Sequence, residues 1–119
     1  GLHFDVILKD NFIVDIKNYE LSKTYSLNLT ESSALNNEFQ EIYKDIYSPS
    51  GTLLRPEMGV VDPSGFIEFK DIDGDGISEL VGYHSIWAVF HANSIGIAKP
   101  TWKWTENGLK LISIDIVKR

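Results

Sequence analysis

The segment Asp71-Ile72-Asp73-Gly74-Asp75-Gly76-Ile77-Ser78-Glu79-Leu80 sets three aspartates at alternate positions, a glycine after the third, and a glutamate four residues beyond it. Oxygen donors at this density suit a hard divalent cation. Calcium takes six to eight oxygens at ~2.3–2.6 Å in an irregular shell. A chain curling around such an ion presents Asp71, Asp73 and Asp75 from loop positions one, three and five, with Gly76 free to make the sharp bend. The Ile77 carbonyl, at position seven, is expected to point at the ion while the Ile77 side chain turns into the core. Glu79 adds an oxygen directly or through water. Four carboxylates within nine residues repel one another, and each raises its neighbours' pKa; a divalent ion reverses that sign. Magnesium demands a smaller octahedron and keeps its waters, and zinc favours nitrogen and sulfur, so the expected cofactor is Ca²⁺, structural in role and tying two strands together.

A helix-loop-helix calcium loop carries a bidentate glutamate at position twelve. Here that position is Gly82, and the flanks Phe66–Lys70 and Glu79–Tyr83 alternate as strands. The loop resembles the strand–loop–strand calcium loops of the FG-GAP and VCBS repeat families, whose pattern is Asp-x-Asp-Gly-Asp-Gly-x-x-Asp/Glu-Leu. The residues that carry the likeness are Asp71, Asp73, Gly74, Asp75, Gly76, Glu79 and Leu80, preceded by Phe69, and it spans residues 66–83 alone. The resemblance implies an exported or cell-surface bacterial protein that binds calcium and has no intrinsic catalysis. Those families build propellers from several repeats, whereas this chain carries a single copy, so a stand-alone sheet domain bearing one such loop is expected. A weaker likeness is to small periplasmic inhibitors of lysozyme, compact β-rich domains of which some carry one calcium loop. It supplies the alternative of an inhibitor of a cell-wall hydrolase.

Other chemistry-bearing residues are thinner evidence. His84 and His91 lie seven apart, an odd spacing that puts them on opposite faces of a strand, and no transition-metal site is expected. Tyr83, Trp87, Phe90, Trp102 and Trp104 concentrate rings in the C-terminal half. Trp102 and Trp104 share a strand face: they are core if that face is inward, and a stacking surface for a protein or glycan partner if it is outward. Glu57, Asp62 and Glu68 form a catalytic pair only if the fold brings two of them together. With no nucleophile elbow and no phosphate-binding glycine loop, no enzyme is expected.

The elements that must position this loop follow from periodicity. Phe4, Val6 and Leu8, then Phe12, Val14 and Ile16, alternate with polar residues about Lys9-Asp10-Asn11, which predicts a hairpin. Thr24–Leu29, Met58–Val61, Phe66–Lys70 and Glu79–Tyr83 read as further strands. His84–Ala92 is a strand or a buried turn of helix, and Asn93–Pro100 a loop. Thr101–Thr105 and Leu109–Val117 form a closing hairpin around Asn107-Gly108, with Ile112, Ile114 and Ile116 on one face. Leu35, Phe39, Ile42 and Ile46, with Tyr43 and Tyr47, predict one amphipathic helix over about 31–47, ended by Ser48-Pro49-Ser50-Gly51. The expected class is mainly β (α+β): an antiparallel sheet system with that helix packed on it, in one domain over 1–119. A length of 119 residues with 43% hydrophobic residues supports a core, and the absence of cysteine removes disulfides and thiolate sites. A net charge of -6 disfavours nucleic acid. No apolar run approaches the ~18 residues of a membrane span, and Gly1–Asp5 has no basic-then-apolar leader pattern.

Overall fold

The structure is a computed structural model that describes residues 1–31, 43–88 and 94–118. The alternating N-terminal segments pleat into β1 (Phe4–Lys9) and β2 (Ile13–Asn18), paired in register from Phe4↔Asn18 to Lys9↔Ile13. Val6, Leu8, Val14 and Ile16 all turn inward, each at most 2% exposed; burying side chains of this size stabilises by about 1.5–3 kcal/mol each. Asn11 and Phe12 turn the chain with φ of 63° and 60°. Phe12 tolerates the left-handed backbone because its ring packs on Tyr47 at 4.8 Å and its carbonyl accepts the Leu29 N–H at 2.8 Å.

β3 (Lys23–Asn28) pairs with β2 and ends in a single 3-10 turn, Leu29–Glu31. The remaining strands are β4 (Met58–Val61), β5 (Phe66–Lys70), β6 (Glu79–Trp87), β7 (Ser94–Thr105) and β8 (Gly108–Lys118). All pairings are antiparallel, in the order β3-β2-β1-β4-β6-β7-β8, with β5 on β6. The sheet curls until its ends approach. Leu27 of β3 reaches Gly96 of β7, where a Cβ would lie 3.1 Å from Leu27 Cδ1, and Lys118 Nζ sits 3.3 Å from a Glu31 carboxylate oxygen. The result is a nearly closed antiparallel barrel whose interior holds Val6, Leu8, Val14, Ile16, Leu29, Ile86, Ile95 and Ala98.

β6 changes partner along its length. Ile86 and Trp87 pair with β4 inside the barrel wall, whereas Glu79–Tyr83 pair with β5 outside it. β5, the first half of β6 and the β7–β8 hairpin therefore project as a wing, and the molecule measures 52 × 26 × 21 Å. Among the described residues no helix is long and apolar enough to cross a membrane.

Three expectations are corrected. The mainly β (α+β) class with a packed amphipathic helix over about 31–47 gives way to a nearly all-β fold. The described ends of that segment are the 3-10 turn at Leu29–Glu31 and, at the other end, one helical residue, Tyr43, followed by a turn over 44–46, after which Tyr47 bridges to Leu53; residues 32–42, on which most of the expected helix falls, lie outside the described residues. Apolar spacing of three and four also serves a turn whose side chains enter a core from one side. Tyr43, Ile46 and Tyr47 are buried in that way, and the Tyr47 hydroxyl donates to the Lys9 carbonyl at 2.6 Å. The loop expected up to Pro100 is instead strand from Ser94 onward, because its small residues Gly96 and Ala98 pack against the barrel interior. Ile112, Ile114 and Ile116 do not share one face: a bulge opposite Thr101/Trp102 leaves Ile112 47% exposed while Ile114 is 5% exposed.

Candidate metal centre

Lys70 pairs with Glu79 and Phe69 with Leu80, so residues 71–78 close the β5–β6 hairpin at the tip of the wing. The loop's carboxylates organise its own backbone. Asp71 Oδ1 accepts the Gly74 N–H at 2.9 Å and its Oδ2 accepts the Gly76 N–H at 2.8 Å. Asp73 Oδ1 accepts from Asp75 N at 3.3 Å, and Asp75 Oδ1 from Ile77 N at 2.8 Å. Glu79 Oε2 accepts from Ile72 N at 3.0 Å, tying the end of the loop to its beginning. Gly74 and Gly76 make the tight curl possible at φ of 74° and 83°, the left-handed region where a side chain costs about 1–2 kcal/mol.

One oxygen from each of Asp71, Asp73, Asp75 and Glu79 lies within 4.8 Å of the others. Two oxygens on opposite sides of an ion at about 2.4 Å are separated by about 4.8 Å, so these donors can share one calcium-sized centre. The three aspartates are exposed and Glu79 is 1% exposed. A carboxylate removed from water needs compensating positive charge or hydrogen bonds, so this donor set fits a cation chemically as well as geometrically.

One positive group already reaches the loop. Val81 pairs with Thr101, and strand alternation then puts Lys103 of β7 on the same face as Glu79. Lys103 Nζ sits 2.7 Å from Asp73 Oδ2 and 3.2 Å from Asp75 Oδ2. The ammonium holds the Asp73 carboxyl well below the usual carboxylate range, and Asp73, with Asp75 second, pushes the lysine up. The sequence reading missed Lys103. Its alternation with Trp102 and Trp104 showed that it faces away from them, but its loop partner is set by the β6–β7 register.

Ile77 departs from expectation: its side chain is 55% exposed, because the loop stands beyond the core and no apolar layer lies beneath it. Trp102 and Trp104 lie on the face opposite Lys103. The pairings Phe69↔Leu80, Leu80↔Trp102, Trp102↔Leu111 and Trp104↔Leu109 place these residues on one face with Ile67. That face continues the barrel interior through Pro100 and Ile114, then opens to solvent: Trp102 is half-buried, and Trp104, Phe69 and Ile67 are exposed by 58%, 67% and 56%.

The remaining sequence candidates are engaged elsewhere. His84 Nδ1 lies 3.0 Å from the Asp62 carbonyl oxygen, and His91 is outside the described residues. Glu57 pairs with Arg55 at 3.3 Å, Asp62 accepts the Ser64 N–H at 2.9 Å, and Glu68 accepts the Tyr83 hydroxyl at 2.8 Å.

Comparison with known proteins identifies the family. The model of the YybI C-terminal domain family matches residues 2–117. The relative described as "Uncharacterized protein YybI" from Bacillus subtilis (strain 168) is 28% identical over 103 residues, 87% of this chain, and the chain spans 37% of that relative's length. No solved structure matches the chain.

Proposed function

The chain belongs to the YybI C-terminal domain family; from the geometry of its acidic loop we propose that it is a calcium-stabilised, non-enzymatic binding module of an exported or surface-associated bacterial protein. The ion's ligands are Asp71, Asp73, Asp75, the Ile77 carbonyl and Glu79. The observation that carries the reading is the convergence of four carboxylates within 4.8 Å, one of them buried. The loop's likeness to FG-GAP and VCBS calcium loops supports the choice of metal. Bound there, calcium cross-links the start and end of a hairpin loop that otherwise concentrates like charge at the end of the wing. Extracellular calcium modules bind at about 10⁻⁴–10⁻³ M, which fits a calcium-rich medium outside the cytoplasm.

The test is a calcium titration of chelator-stripped protein followed by thermal unfolding. Free calcium at 100 times its dissociation constant adds about 2.7 kcal/mol, a rise in Tm of roughly 10 °C for a domain of this size. Asp73→Ala should remove the response. No rise at about 10 mM calcium, well above the weak end of that affinity range, overturns the assignment.

A second reading concerns the binding partner. The open face formed by Ile67, Phe69, Trp104 and Leu109 offers aromatic and aliphatic side chains to a protein or a glycan. The exposure of Trp104 favours this reading, and a cell-wall hydrolase such as lysozyme is the partner to try first. Stoichiometric domain should slow lysozyme, and Trp104→Ala should relieve the inhibition; unchanged lysozyme activity with the unaltered domain ends the inhibitor version.

A further inference from the structure

The acidic loop is reached by a cation that belongs to the chain itself, and the oxygens involved show what that cation does. Asp73 and Asp75 each turn Oδ1 to a backbone N–H two residues ahead, at 3.3 and 2.8 Å. Each turns its other oxygen, Oδ2, to Lys103 Nζ, at 2.7 and 3.2 Å. At Asp73 and Asp75 the oxygens that no loop N–H engages are the two on Lys103, so an ion entering among Asp71, Asp73, Asp75 and Glu79 that draws on them meets the ammonium. Ammonium and ion cannot both sit on this pair of oxygens without close like-charge contact.

The contact is specific to this lysine. Lys70, nearer in sequence, pairs with Glu68 at 3.4 Å, and Lys99, two residues before Thr101 on the same strand, lies over the Tyr83 ring at 5.2 Å. Only an alternation that sends Trp102 and Trp104 to one face and Lys103 to the other puts an ammonium on the loop.

We propose that Lys103 is a tethered counter-cation: it holds Asp73 and Asp75 when no ion is bound, and a divalent ion displaces it from them. This inference rests on the calcium reading and assigns Lys103 as the residue that sets the site's affinity. Releasing the lysine opposes binding, so the site responds only to abundant calcium. While engaged, the same contact pins the loop to β7 and limits the repulsion among the carboxylates.

The experiment is calorimetric calcium binding to the unaltered protein, Lys103→Gln and Lys103→Arg. Lys103→Gln keeps a polar side chain of similar reach and removes the charge; it should bind calcium about tenfold more tightly, the equivalent of one partly screened ion pair, and should melt at a lower temperature in chelator. Lys103→Arg keeps the charge and should bind within about threefold of the unaltered protein, on the same reasoning. A measurement on the unaltered protein guards against misfolding of the variants: the Lys103 side-chain ammonium signal in NMR should shift and lose its protection from exchange as calcium is added. Equal affinities for the unaltered protein and Lys103→Gln, or a lysine signal that calcium leaves in place, overturn the counter-cation role while leaving the calcium site intact. No calcium uptake by either protein overturns the calcium reading, and the Lys103 role with it.

Discussion

A Gly59→Ala chain is expected to lose about 3–5 kcal/mol of stability, a large part of the 5–15 kcal/mol that holds a domain of this kind together. A Cβ on Gly59 would stand 2.1 Å from the Trp87 carbonyl oxygen, 2.8 Å from Val6 Cγ1 and 3.1 Å from the Ala88 Cα. The nearest of these is backbone, which cannot rotate away. β4 is also held on both sides: Val6↔Gly59 ties it to β1, and Val60↔Trp87 ties it to β6. Movement away from one neighbour therefore presses β4 into the other, so the extra methyl must break pairing instead of shifting a side chain. The position matters because β4 is the strand through which β1–β3 join β6–β8. Gly74→Ala is the comparison. Its φ is 74° and nothing lies within 4 Å of the added Cβ, so its cost is the left-handed backbone alone, about 1–2 kcal/mol, confined to the loop. Urea unfolding of both variants decides the matter: the Gly59→Ala midpoint should fall well below that of Gly74→Ala, and the reverse order would show that the barrel wall yields where its pairing says it cannot.

Glu79→Gln should split the protein's stability into two opposite responses. Without calcium the variant should be as stable as the unaltered chain, or more so by up to about 1 kcal/mol. The side chain volume is conserved, the amide oxygen can still accept the Ile72 N–H that Glu79 holds at 3.0 Å, and one of the mutually repelling carboxylates is gone. With calcium the order should invert. Glu79 is the ligand shielded from water, at 1% exposure, so its charge acts on an ion with little screening. Replacing it with a neutral amide should cut the calcium-dependent gain from about 2.7 kcal/mol to under about 1 kcal/mol at the same calcium concentration. Thermal unfolding of both proteins in chelator and in calcium reads the crossing of the two orders directly. A variant that gains as much from calcium as the unaltered chain removes Glu79 from the ligand set. A variant that fails in chelator alone would mean that the buried charge serves the fold.

Much of this was legible from the chain without coordinates. Alternation over Phe4–Lys9 and Ile13–Asn18 needs only the preference of one side of a pleat for the core, and the hairpin formed as expected. The loop signal lay in residue types and spacing, and Asp71, Asp73, Asp75 and Glu79 do converge. The helix expected over about 31–47 is corrected at its described ends, residues 32–42 lying outside the described residues. Spacing of three and four residues marks one-sided burial, and Tyr43, Ile46 and Tyr47 achieve it through a turn and a β-bridge. Ile77 was assigned to the core because apolar side chains seek one, but the hairpin carries it past the last core layer, where there is nothing to pack on.

The sequence by itself thus determined the donors, the glycines that let them curl, and most strands, since each depends on residues within a few positions of one another. Tertiary structure decided which cation-bearing side chain faces those donors, how far β6 runs before it changes partners, and that the indole face is inner at Pro100 and open at Trp104. Those outcomes depend on hydrogen-bond register between strands distant in sequence, as between Val81 and Thr101, the pairing that brings Lys103 to Asp73. Register is set by the sum of pairings along whole strands, a quantity that no local pattern of residues contains.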